Sequence, residues 1–189
     1  MTFTAFILAT ALLLLTPGPT NTLLAVAGAE RGFARGIRLV AFELVAYLAV
    51  AVPLALASTA LTEAAPHFRE FVSFAASAWV AFLAVKLWPQ TSAAGMEPAR
   101  VTGRTVFFTT LLNPKAVIIG LVLLPSGGNL WERSAAFALL ILAVAAVWCG
   151  AGQLLTARAE NGPRLARRVA AVGLGILSVV LFTSGLRLA

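Results

Sequence analysis

Thr16-Pro17-Gly18-Pro19-Thr20-Asn21-Thr22 interrupts an apolar run of membrane-spanning length, with residues 3–15 before it and 23–27 after it. Proline has no N–H to give a helix, and its ring clashes with the preceding turn. One helix must therefore stop before Pro17 and another start at Pro19. Asn113-Pro114-Lys115 makes a second interruption, between the apolar stretches 106–112 and 116–124. Unpaired backbone in hydrocarbon costs several kcal/mol per group, so such breaks persist only where protein or a polar cavity covers them. Two broken spans at matching places in the two halves of a chain point to a transporter's binding site.

Composition fixes the setting. The chain has 189 residues, 60% hydrophobic and 11% charged, with a mean hydropathy of +0.95. Soluble domains carry about 25% charged residues, so this reads as an integral membrane protein. At about 20 residues per span with short loops, the length suits six spans and no separate soluble domain. The net charge of +7 does not indicate nucleic acid, because Lys and Arg lie mostly in loops beside apolar runs, where they set topology. Cys149 is the single cysteine, which excludes an internal disulfide or thiol couple and reads as a small buried residue. Met1-Thr2-Phe3-Thr4 has no basic n-region, and Pro-Gly-Pro stands where a cleavage site would follow. The segment reads as a retained first helix.

The sequence predicts an all-α polytopic bundle with spans near residues 3–27, 37–57, 70–88, 105–124, 134–155 and 168–186. The first and fourth are broken. The stretch 89–103 falls near the midpoint and reads as a linker between a repeat over residues 1–92 and another over 99–189. Arg31, Arg35, Arg38, Lys86, Arg100, Arg104, Arg158, Arg164, Arg167 and Arg168 fall on one side. Only Arg69, Arg133 and Arg187 fall on the other. The richer side is expected to be cytoplasmic, which puts both termini outside; a re-entrant first helix would instead leave five spans. Three helices per half make the halves inverted repeats. Small residues such as Ala75-Ala76-Ser77-Ala78, Ala145, Gly150 and Gly152 are expected to pack helices closely. Trp88 and Trp131 suit the membrane interface, while Trp79 and Trp148 suit packing.

Several residues carry candidate chemistry. Pro19 suits the first position of a new helix, and Asn113 suits an N-cap with Pro114 following it. Each second half-helix would then begin in mid-membrane with its first N–H groups and positive dipole end facing a site for a carboxylate. Thr16, Thr20, Asn21 and Thr22 add polar groups, and Lys115 adds a positive charge or caps a carbonyl. Pro17, Gly18, Pro19, Thr20, Asn21, Asn113, Pro114 and Lys115 form the candidate substrate-binding set. Glu43 stands on an otherwise apolar helix, where an ionisable group is costly and marks a functional site by default. It could carry a coupling proton, hold a substrate amino group or pair with Lys115. Alternatively it lies shallow, paired with Arg38 or Arg35. His67 reads as solvated surface and Gln153 as interfacial. No His/Cys/Asp/Glu cluster suggests a metal site, and no phosphate-binding glycine loop suggests ATP. No catalytic residue or cofactor is expected.

Taken together, Thr16-Pro17-Gly18-Pro19, Gly28 with the Gly32–Gly36 loop, Leu112-Asn113-Pro114-Lys115-Ala116 and Leu124-Pro125 resemble the LysE-type exporters of lysine, threonine and homoserine. Ala78-Trp79-Val80-Ala81-Phe82-Leu83-Ala84-Val85-Lys86 resembles that superfamily's third helix. The resemblance implies a bacterial inner-membrane transporter, not an enzyme, exporting amino acids or related metabolites at the expense of the proton gradient. Phe42 and Glu43 stand where members usually have glycine, and Ile118-Ile119 where they have an aromatic pair. These departures leave the solute open. A homodimer is compatible with so small a bundle. Three rival readings are a cation or metal exporter, which would need more ligands at depth, a membrane redox carrier, which would need paired thiols, and a membrane-embedded enzyme, which would need an acid–base cluster.

Overall fold

The computed structural model describes residues 1–58, 68–88, 101–156, 168–176, 178, 179, 182 and 183. All regular structure among these residues is helical. Helix α1 (Phe3–Leu15) starts at Thr2, whose hydroxyl accepts from the Ala5 N–H at 3.3 Å, and stops at Thr16 in front of Pro17. Helix α2 (Pro19–Arg31) begins at the second proline and ends at Gly32, whose φ of +74° favours glycine. The two helices are bent by 62°. Two short helical turns, Phe33–Gly36 and Ile37–Leu39, lead into α3 (Val40–Leu56), which contains Pro53. Helix α4 is Phe68–Leu87. The second interruption separates α5 (Gly103–Leu111) from α6 (Pro114–Ile118), and α6 runs on through a π-helical turn, Ile119–Leu123. That pair is bent by 47°. Helix α7 (Leu130–Thr156) follows, and residues 168–176 are again helical.

Two helices, Phe33–Leu56 and Leu130–Leu154, are long and apolar enough to cross a membrane; each bent pair counted as one span raises the number to four. Two to four such spans among the described residues are compatible with a multi-pass membrane protein. Helix α4 matches the expected third span in position, although it is not one of the four. Residues 168–176 fall within the expected sixth. Most of the midpoint linker, His67 and the basic residues Arg100, Arg158, Arg164, Arg167 and Arg187 lie outside the described residues.

The bent pairs lie side by side and run in opposite directions. Met1 contacts Ser126 at one end, and Arg31 bonds the Val101 carbonyl at the other. Between those ends, Thr16 meets Lys115 and Thr20 meets Thr110. Arg133, which the charge count assigns to the outer side, is buried. It donates to the Leu123 carbonyl at 3.1 Å and the Met1 carbonyl at 2.7 Å, bonds Ser126 Oγ, and stands 5.0 Å over the Phe6 ring.

Apolar packing falls into two cores. One holds Leu23, Leu24, Ala27, Leu39, Leu83, Val101, Val106 and Ala145. The other holds Phe6, Leu14, Tyr47, Ala51, Ala116, Ile119, Phe137 and Ile141. The first bent pair, α3 and the second bent pair each pass from one core to the other, and they do so at residues 16–21, 43 and 110–115. The breaks and Glu43 therefore share one level of the bundle.

Helix α2 packs most extensively on α7. A Cβ at Gly28 would collide with the Cys149 backbone, and one at Gly152 with the Ala25 backbone. Small residues let the two backbones touch, as expected for helices that pack in lipid without a hydrophobic drive between them. Cys149 is buried at this seam, its thiol 3.7 Å from the Phe33 carbonyl. Gln153 accepts the Phe33 N–H, a helix-connecting role that its place near a span end did not suggest. Trp88 and Trp131 are exposed, and Trp79 and Trp148 pack on the cores.

Candidate functional site

The first break leaves the last carbonyls of α1 without intrahelical partners. The Thr16 hydroxyl donates to Leu13 O at 2.7 Å, and two further side chains meet Leu14 O and Thr16 O. Asn21 Nδ2 donates to Leu14 O at 2.7 Å and to Thr16 O at 3.0 Å. Lys115 reaches across from the second break, and its Nζ donates to Leu14 O at 3.4 Å and to Thr16 O. A cation at the negative end of a helix is favoured by the helix dipole. Lys115 therefore takes the carbonyl-capping role open to it, on a helix distant in sequence. The approach is close: a Cβ at Gly18 would stand 3.2 Å from Nζ. Glycine at this position leaves room for the ammonium.

The start of α2 differs from the start of α6. Gly18 is the N-cap of α2 and offers no side-chain hydrogen bond. Asn113 caps α6, with its Oδ1 accepting from the Lys115 N–H at 3.1 Å. The expectation that both helix starts leave their first N–H groups unpaired fails at α6, because the asparagine that makes a good N-cap also occupies the N–H it caps.

Asn113 is more than a cap. Its Nδ2 donates to Thr20 Oγ1 and to Tyr47 Oη, each at 3.3 Å. Thr20 Oγ1 is 3.1 Å from Thr110 Oγ1, and Thr110 donates to Val106 O at 2.9 Å. Beside this chain, Trp79 Nε1 donates to Thr109 Oγ1 at 2.9 Å. Thr20, Asn21, Tyr47, Thr110, Asn113 and Lys115 are all buried.

Glu43 lies at the same level of the bundle, one turn before Tyr47 on α3. It is 3% exposed, and its Oε2 has no hydrogen-bond partner. Arg35 and Arg38 are exposed, so the shallow pairing with them is not what the side chain does. A buried acceptor without a partner is uncommon and calls for an explanation.

Among the expected site residues, the structure brings together Gly18, Pro19, Thr20, Asn21, Asn113, Lys115 and Glu43. Pro17 is exposed and Pro114 half-buried; these two shape the breaks. Tyr47 and Thr110 escaped the sequence reading. Tyr47 is the only tyrosine and lies four residues after Glu43, hence on the same helical face. Spacing from Glu43 was the signal that could have found it. Among the described residues, no three His, Cys, Asp or Glu side chains come together as a metal site. Compared with protein-family models, with characterised proteins and with solved structures, the chain has no significant match in any of the three.

Proposed function

We propose that this chain is a secondary transporter that exports amino acids or similarly small zwitterions across a bacterial inner membrane, coupled to protons. The observation that carries the reading is the meeting of two oppositely directed broken spans at a buried polar centre. Broken helices at membrane depth are kept where a solute needs backbone and polar groups that a continuous helix would hide. The uncapped start of α2 offers N–H groups and a positive dipole end to a carboxylate. The Lys115 ammonium stands beside Gly18 and strengthens the same field. Glu43 supplies the opposite sign.

In this reading six spans form two inverted halves, with both termini outside. Rocking of one half against the other exposes the centre to each side in turn. The outward apolar faces meet lipid, and a second copy can share one of them.

The test is an efflux panel. Cells producing the protein are loaded with dipeptides that release single amino acids, and the loss of each is timed against cells lacking it. Faster exit of one or a few amino acids, slowed when the proton gradient is collapsed, is the expected result. Equal exit of all of them would overturn the proposal.

A further inference from the structure

Hydrogen-bond directions around Asn113 can be assigned one after another. The Lys115 backbone N–H can only donate, so the amide oxygen of Asn113 faces it and the amide nitrogen faces Thr20 and Tyr47. Both amide hydrogens are then engaged. Thr110 gives its hydrogen to Val106 O, so the contact between Thr20 and Thr110 is donated by Thr20. Thr20, Thr110 and Asn113 have thus committed every side-chain hydrogen they can donate.

Tyr47 has not. Its oxygen accepts from Asn113, but its own hydrogen has no acceptor among the described residues. One turn earlier on the same helix, Glu43 has the complementary deficit: Oε2 is buried and accepts nothing. Side chains four apart on a helix are neighbours. An open donor and an open acceptor therefore lie one turn apart on α3, at the level of the two breaks, with no hydrogen bond between them.

We infer that Tyr47 and Glu43 form a two-point recognition site for a zwitterionic head group, with Tyr47 Oη donating to the carboxylate and Glu43 Oε2 accepting from the ammonium. The inference rests on the export reading above and adds to it a residue from outside the broken spans. A lone ammonium has no lone pair for the tyrosine hydrogen. A lone carboxylate has no hydrogen for Glu43. A free α-amino acid presents both groups on one carbon. Thr20 and Tyr47 share the Asn113 nitrogen as donor, so the carboxylate held by Tyr47 also lies toward the uncapped start of α2. The ammonium then points to Glu43.

The test removes one group from the protein and its counterpart from the ligand. Full-length protein in lipid nanodiscs is titrated calorimetrically with the twenty common L-amino acids. The tightest binder is then compared with the amine lacking its carboxylate and the acid lacking its ammonium; for leucine these are 3-methylbutylamine and 4-methylpentanoate. Hydrogen bonds to charged groups are the stronger kind, and tenfold in affinity is about 1.4 kcal/mol. Tyr47→Phe is expected to weaken the amino acid about tenfold or more and leave the amine unchanged. Glu43→Gln is expected to weaken the amino acid by a similar factor and leave the acid unchanged. Each variant's partial ligand is its own control for folding. Equal losses for all three ligands in either variant would overturn the inference and leave the export reading standing. A wild-type protein that binds no amino acid would overturn both.

Discussion

The two breaks resemble each other in sequence and differ in what they depend on. The second closes on itself: Asn113 caps the helix it begins, and α5 resumes as α6 within two residues. The first does not. Its C-terminal carbonyls rely on Asn21 and on Lys115, a donor borrowed from the other broken span, and its new helix starts from an uncapped glycine. Two proline breaks related by topology are therefore chemically unequal. One is a support that exports a cation and two amide hydrogens to its neighbours. The other is an open end that receives the cation and one of those hydrogens, the second going to Tyr47 on α3.

The largest expected effect follows from removing the borrowed cation. Lys115→Ala should abolish export and, by taking the charged donor from carbonyls that Asn21 alone then serves, lower stability by about 1–3 kcal/mol. Efflux and thermal unfolding in detergent measure the two effects. Export at the wild-type rate would break the comparison, since the first break would then not need the second. Asn113→Ala should come next. It removes a helix cap, typically worth about 1 kcal/mol, and takes donors from Thr20 and Tyr47, for a total of about 2–3 kcal/mol. A loss below that of an ordinary cap would mean that the link to Tyr47 contributes nothing.

Asn21→Ala should cost less than about 1 kcal/mol, because Lys115 still serves both carbonyls. A loss as large as that of Lys115→Ala would reassign the support of α1 to the asparagine. The smallest effect tests direction. In a Cys149→Ala background, Ala34→Cys and Glu132→Cys should leave export unchanged and be labelled by a membrane-impermeant thiol reagent from opposite faces. Labelling from one face would show that the two exposed positions do not lie at opposite ends of the bundle.

The sequence alone located both breaks, because proline and glycine act through local chain geometry that needs no tertiary context. Asn113 as an N-cap was legible for the same reason. The partner of Lys115 was open to several readings, since the lysine is about a hundred residues from the carbonyls it caps. Only the reversed alignment of the two spans brings them together. Gly18 shows the same limit: it reads as a turn residue, and its further use as space for an ammonium depends on that alignment. Tyr47 was passed over because an aromatic in an apolar helix ordinarily packs, and its ring does pack edge-on against Phe137. Its hydroxyl matters because of Asn113, which a sequence does not place. Arg133 counted as a loop charge, whereas burial against three acceptors makes it a tie between the ends of the two broken spans.

The glycine seam between α2 and α7 has a mechanical consequence. With Ala25, Gly28, Cys149 and Gly152 in backbone contact, no flexible side chain lies between the helices to absorb sliding. The pair should shift as one plate, like two boards glued along their length. Any large motion is then left to the contact between the two broken spans, where a long, pivoting lysine arm bridges α1 and α6 and can follow a displacement that the glued joint would resist.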